Sequence, residues 1–152
     1  MMFPIFSAFS LFFLIIFLDR YMMHKSVKTK LQKFLKLESK IVLIKENVKS
    51  ETFTIGLKNH RYHFRKSDLY FFDNAFVIIG FYKIVGVKIY SCIIVFSDGN
   101  DLNTKDLKTF NLNSSNNDVY IEFGEASFTS TNVSIRLKNL SEDEKQLIKF
   151  KK

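Results

Sequence analysis

Hydrophobic positions divide the chain into three parts that differ in spacing. Residues Met1 to Leu18 carry no charged side chain and show no period that would leave one helical face polar. In the second part, up to Lys40, apolar residues recur at helical spacing. One face of that helix would carry Val27, Leu31, Phe34 and Leu35. Beyond Lys40 the pattern changes to short runs rich in β-branched and aromatic residues, which is typical of strands.

The first part is predicted to be a transmembrane helix. Eighteen helical residues advance about 27 Å, close to the roughly 30 Å thickness of a bilayer's hydrocarbon core. A cleaved signal peptide is one alternative, but the start MMFPIF has no Lys or Arg and the segment DRYMMHK has no A-x-A-like cleavage site. A core or interfacial helix is the other alternative. Residues 1–23 are therefore assigned to a retained signal anchor.

Positive charge follows this segment directly. From Asp19 to Lys66 there are thirteen Lys or Arg and four Asp or Glu, whereas the rest of the chain has ten and eleven. Basic residues beside a membrane span favour the cytoplasmic side. We expect a single-pass protein of the inner or plasma membrane, with its N-terminus outside and its C-terminal domain in the cytoplasm.

Residues 24–40 are predicted to continue as a basic juxtamembrane helix, whose apolar face docks on the following domain. Lysines occupy other directions around the helix, and anionic lipid headgroups attract such residues at a membrane surface. The predicted lipid contacts in this segment are Lys25, Lys28, Lys33 and Lys36.

A second basic cluster lies in HRYHFRK. This segment is predicted to be a strand, on which Arg61, His63 and Arg65 share one face and Tyr62 and Phe64 share the other. Arg side chains can hold phosphate groups through paired hydrogen bonds. Arg61, Arg65 and Lys66 are therefore added to the predicted contacts with anionic lipid. A solvated outer face of a sheet is the alternative.

Residues 41–152 are predicted to form a mostly β domain. Runs such as VYIEF and NVSIRL alternate, which indicates antiparallel strands with one buried face. AFVIIG and CIIVF are apolar throughout, which indicates strands that are central or covered on both faces. A helix over 141–151 is predicted to close the domain, with Ser141 and Glu144 spaced for a capping box. The expected fold class is mainly β with helical ends.

This order of elements resembles an antiparallel pleckstrin-homology-like barrel with a C-terminal helix, joined to a transmembrane helix as in small bacterial membrane proteins. The resemblance covers roughly residues 40–152 and includes the strand–turn–strand segment DLYFFDNAFVIIG and the terminal helix after VSIRLKNL. It implies a scaffold that binds lipid, peptide or protein. The last helix departs from many members of that superfamily because it lacks Trp. A β-sandwich is the structural alternative.

Side chains with catalytic or metal-binding chemistry are sparse. On a strand, His60 and His63 would point to opposite faces, and Cys92 lies in an apolar run. The loop DGNDLNTKD lacks the ligand spacing of a calcium site. We therefore expect no enzyme, no cofactor and no metal, and the membrane span argues against nucleic acid as a partner. The expected function is a membrane-anchored interaction or scaffolding module that binds a protein partner, as an immunity-type protein does, or alternatively a lipid-responsive domain.

Overall fold

The computed structural model describes residues 3–37, 40–56, 62–97, 105, 107–113, 117–125 and 131–148. The helices in these residues are α1 (Phe3–Leu37) and α2 (Glu142–Leu147). The strands are β1 (Ile41–Ile55), β2 (Lys66–Phe72), β3 (Ala75–Ile84), β4 (Val87–Ser97), β5 (Leu107–Asn113), β6 (Asp118–Glu125) and β7 (Thr131–Leu137). Neighbouring strands are antiparallel and follow the order β4-β3-β2-β1-β7-β6-β5. The predicted class, mainly β with helical ends, is confirmed.

The long strand β1 lies at the centre of the sheet and joins its two halves. Its first part pairs with β2 as far as Lys49, and its last part, from Ser50 onward, pairs with β7. The register shifts at a bulge around Asn47, whose φ is 59°. The runs KIVLIKE and ETFTIGLK are each rich in β-branched residues, so the sequence predicts two separate strands here. One strand forms instead because the bulge accommodates the residues between the two runs without ending the sheet.

One face of the sheet encloses the main hydrophobic core. The rings of Phe96 in β4 and Phe123 in β6 meet edge to face, with their centroids 5.7 Å apart. Four strands separate β4 from β6 in the sheet order, so this contact requires the sheet to fold over on itself. The predicted alternation in β7 is confirmed because Val133, Ile135 and Leu137 all point into this core.

The second half of α1 covers the outer face of β2, β3 and β4. Val27, Leu31 and Phe34 are buried against this face, as the helical stripe predicts, while Leu35 stays partly exposed. The fully apolar run of β3 therefore has a neighbour on each side. Its Phe76 and Ile78 enter the main core, and its Val77 and Ile79 pack beneath α1.

The first half of α1 does not share this packing. The side chains from Leu11 to Leu18 are each 42–68% exposed. The predicted boundary between residues 1–23 and 24–40 falls inside this continuous helix. In the ranges that the structure describes, no helix is both long and apolar enough to cross a membrane. The transmembrane assignment of residues 1–23 stays a prediction.

The short helix α2 begins with the predicted capping box. The Ser141 hydroxyl accepts a hydrogen bond from the Glu144 backbone N–H at 3.2 Å, and the Glu144 carboxylate accepts one from the Ser141 N–H at 2.7 Å. Ile148 then enters the main core. The helix ends at Leu147, whereas the sequence predicts 141–151; residues 149–152 lie outside the described part of the chain.

The strand predicted for HRYHFRK is wrong over residues 62–65. These residues lie beside β1 outside any strand, although Tyr62 and Phe64 are buried and His63 and Arg65 are exposed as the alternation predicts. The Ser50 N–H donates to the Arg65 carbonyl at 3.0 Å, and at Phe64 the Thr52 hydroxyl takes the place of a backbone partner, because it donates to the carbonyl and accepts from the N–H, each at 3.4 Å. Alternating burial therefore persists here without a regular strand.

Candidate functional site

The direction of α1 across the sheet determines which surfaces lie near its exposed half. Phe34 packs against Phe72, with ring centroids 5.0 Å apart, at the end of the sheet where β2 turns into β3. Ten residues earlier, His24 stacks on Tyr90 with centroids 5.2 Å apart, and its Nδ1 accepts the Tyr90 backbone N–H at 3.1 Å. Tyr90 lies near the β3–β4 hairpin. Toward its N-terminus, α1 therefore runs to that hairpin and leaves the sheet there.

A group of exposed basic side chains lies at the same end of the sheet. We call it the basic end, and it consists of Lys49, His63, Arg65 and Lys66. Lys49 faces Lys66 directly in the β1–β2 pairing. The neighbouring carboxylate of Glu51 is already paired with Lys138 and Arg136. Because like charges in opposing positions repel each other, the arrangement of Lys49 and Lys66 favours the binding of an anion.

Tyr82 lies within electrostatic reach of both α1 and the basic end. Burial raises the pKa of the Tyr82 phenol, while the positive charges of Arg20 and Arg65 act to lower it. Arg20 belongs to α1 and Arg65 to the basic end, yet both act on the same phenol. Lys66 pairs with Phe81, and Phe81 pairs with Tyr90, on which His24 stacks. The basic end therefore lies on the side where α1 leaves the sheet.

The predicted lipid contacts divide into two groups. Arg65 and Lys66 belong to the basic end, and Arg61 lies outside the described residues. The lysines of α1 are exposed but spread along the helix, at Lys25, Lys28, Lys33 and Lys36. At about 1.5 Å per residue, Lys25 lies about 10 Å beyond Leu18 and Lys36 about 27 Å beyond it. Only the first of these lysines lies near the exposed apolar half of α1.

Lys49 is a member of the basic end that no sequence pattern predicts. It is far from Lys66 in the sequence, and no motif links the two. The signal that joins them is the strand register, because β1 and β2 place the two residues opposite each other.

A cleft of about 730 Å³ lies between α1 and β4. Its apolar lining includes Val27, Phe34, Ile93 and Val95. Its charged lining has three lysines and one carboxylate: Lys30, Lys33, Lys105 and Asp19. Exposed Met22 lines it toward the hairpin end. An apolar lining with an excess of positive charge suits a segment that has both apolar and acidic side chains.

Cys92 lines the same cleft but has poor chemistry for a nucleophile. Burial raises the pKa of its thiol to about 12, against which backbone and Ser91 hydrogen bonds act weakly. The thiol is therefore protonated at neutral pH, whereas attack requires the thiolate.

The buried carboxylates have structural partners. Asp68 lies 2.8 Å from the Lys88 ammonium and accepts the Asn47 backbone N–H at 2.9 Å. Asp118 lies 2.6 Å from the Arg136 guanidinium. Across the described ranges, no group of three or more His, Cys, Asp or Glu side chains is placed to hold a metal ion.

Comparisons with known proteins found no matching family, no matching curated protein and no matching solved structure.

Proposed function

We propose that this chain is a membrane-anchored interaction module with a binding role and not a catalytic one. The observation that carries this proposal is the contrast within α1, which is exposed and apolar from Leu11 to Leu18 but buried on the sheet from Val27 to Phe34. Together with the uncharged residues before it, the exposed half matches the environment of a bilayer. The packed half then holds the domain at the membrane surface.

The domain itself is proposed to be a pleckstrin-homology-like barrel on the cytoplasmic side. Seven antiparallel strands, a sheet that folds over on itself and a short terminal helix support the barrel. The excess of basic residues after Leu18 supports the orientation. Protease treatment of intact cells tests it, because digestion of the domain from outside would contradict a cytoplasmic location.

The protein partner is proposed to bind the cleft between α1 and β4. Its apolar lining and its three lysines favour a partner segment with apolar and acidic residues. A partner held there would contact both the helix that carries the anchor and the edge of the sheet. Binding would then take place close to the membrane surface.

In-cell photo-crosslinking tests this partner site. A photoreactive amino acid replaces Met22, which lines the cleft, or Thr29, which is exposed on α1 but is not among the residues that line the cleft. We expect a specific crosslinked protein at position 22 only, and its loss when Lys30 and Lys33 are both changed to Glu. Equal crosslinking at both positions, or no response to charge reversal, would contradict the cleft as the site.

The basic end favours a second function, in which the domain responds to anionic lipid. Because the chain has no Trp, His63→Trp would report on this surface alone. In reconstituted bilayers with anionic lipid, we expect its emission to shift to the blue, and the shift to disappear in high salt. The same spectrum in anionic and zwitterionic bilayers would exclude this function.

A further inference from the structure

We propose that the tip of the β3–β4 hairpin, residues 84–87, is a second membrane contact that inserts its apolar side chains into the bilayer interface beside α1. This inference rests on the membrane anchoring proposed above. It adds a second attachment point at a site that is separate from α1 in the sequence.

The tip exposes apolar side chains at a place where water would favour polar ones. Ile84 is 60% exposed, Val85 98% and Val87 61%. Two-residue hairpin loops of this kind usually carry Asn-Gly or Asp-Gly. An apolar loop tip is therefore unusual for a surface that only meets water, and it fits an apolar environment.

The backbone at Val85 gives a second, independent indication. Its φ is 48° and that of Gly86 is 82°, so both loop residues have left-handed conformations. Gly adopts this conformation freely, whereas a β-branched residue there is an outlier. Val85 therefore improves neither the turn nor the solubility of the loop. A role outside folding explains its presence better.

The geometry of α1 brings the tip level with the exposed half of the helix. His24 and Tyr90 are in contact, so distances along α1 and along β4 toward the hairpin tip can be measured from the same point. From His24 to Leu18, the helix advances about 9 Å. From Tyr90 to Val87, the strand advances about 10 Å in the same direction. A membrane that receives residues up to Leu18 therefore also reaches the hairpin tip.

The charges around the tip match an anionic bilayer surface. Lys83 is exposed and faces Lys88 across the hairpin. Lys88 pairs with Asp68 and Glu46, and the charge of Lys83 also acts on Glu46, so Lys83 is the exposed basic residue beside the apolar tip. Tyr82, two residues from Ile84, lies within electrostatic reach of Arg20 and Arg65. Lys66 of the basic end pairs with Phe81, three residues before Ile84, so the tip continues the basic end. Lysine side chains at such positions extend their charged groups toward lipid headgroups.

Two contacts on one bilayer would have a mechanical consequence. A domain that is held by a helix alone can rotate about the helix axis relative to the membrane plane. Insertion of the tip would remove that freedom. The cleft between α1 and β4 would then face a partner in one orientation.

Single-Trp fluorescence separates the tip from the anchor. Because the chain has no Trp, the variants Leu14→Trp, Val85→Trp and Ile41→Trp each contain one reporter. Ile41 is the matched control because it is an exposed apolar residue opposite Phe72, at the far end of the sheet. Along the strands, this position is about 30 Å from the tip. Each full-length variant is reconstituted in bilayers whose acyl chains are brominated, and its quenching is measured against unbrominated lipid.

We expect strong quenching at positions 14 and 85 and none at position 41. Quenching at 14 but not at 85 would overturn the second contact and leave the anchor intact. Absence of quenching at position 14 would instead refute the proposed anchoring. Equal quenching at positions 85 and 41 would also overturn the inference, because the tip would then contact the bilayer no more than the far end of the sheet does. A Val85→Trp emission that is unquenched but shifts with protein concentration would indicate a protein contact in its place.

A second variant separates membrane contact from a structural role. Val85→Asn suits the left-handed turn, so we expect the melting temperature in detergent to rise. With Val87→Trp as the reporter, the same change should remove most of the quenching by brominated lipid. A lower melting temperature would show that Val85 supports the fold. Unchanged quenching would show that its side chain does not enter the bilayer.

Discussion

The two helices of the described chain are held in opposite ways. α1 has 35 residues, and apolar packing holds its second half on the sheet. α2 has six residues and is held at its N-terminus by the capping box and by the Lys45–Glu144 ion pair at 2.5 Å. A six-residue helix is too short to be stable alone, so α2 depends on these contacts. The length of a helix therefore does not indicate how firmly the domain holds it.

The largest expected effect concerns the two halves of α1. Phe34→Ala should lower the free energy of unfolding by about 3–5 kcal/mol, because it leaves a cavity against Phe72. Phe13→Ala removes the same atoms from a side chain that is 65% exposed, so it should change stability by less than about 0.5 kcal/mol. Denaturant unfolding in detergent micelles measures both. Similar losses for the two variants would show that the halves are not held differently.

An intermediate effect is expected where the packed half of α1 ends. His24→Phe preserves ring stacking on Tyr90 but removes the Nδ1 acceptor, which leaves the Tyr90 N–H without that partner. The expected cost is about 1–2 kcal/mol, accompanied by faster hydrogen exchange at the Tyr90 amide. Lys25→Ala, at the exposed neighbouring position, is the control. Unchanged hydrogen exchange at the Tyr90 amide would show that the packed half of α1 begins after His24.

The smallest effect is the pH dependence of α2. Partial burial acts to raise the Glu144 pKa, but hydrogen bonds from Lys45 and Ser141 and the charge of Lys45 outweigh it, so the pKa falls below 4.5. The folded state therefore favours the charged carboxylate. Its contribution is complete above the ordinary pKa of 4.5 and is lost as the pH falls through the folded-state value.

Glu144→Gln should accordingly lower stability by about 1 kcal/mol at pH 7, because the cap and the ion pair weaken. The difference from the native chain should disappear well below pH 4.5, where both side chains are neutral. Asp143→Asn, at the exposed position before it, is the control. Thermal unfolding at a series of pH values measures the change, and a difference that is constant with pH would contradict the role of the charge.

Part of the candidate site was predictable because it depends on local sequence. The stripe of Val27, Leu31 and Phe34 was found from helical spacing, and Arg65 and Lys66 from a cluster of basic residues. The hairpin tip also has a local signal, since IVGV presents apolar residues where a loop normally has polar ones. That signal indicates function only when the exposure and backbone conformation of Val85 are known.

The sequence by itself determined the type of most elements: an apolar N-terminus, an amphipathic helix, antiparallel strands and a capped terminal helix. It did not predict the single strand β1 or the irregular residues 62–65. The predicted element types follow from spacing and local hydrogen bonding, which neighbouring residues decide. Only the tertiary structure decided that β1 joins both halves of the sheet and that Lys49 faces Lys66. It also brought the hairpin tip level with the exposed half of α1. Such relations depend on strand register and helix direction, which link residues far apart in the chain and leave no local pattern.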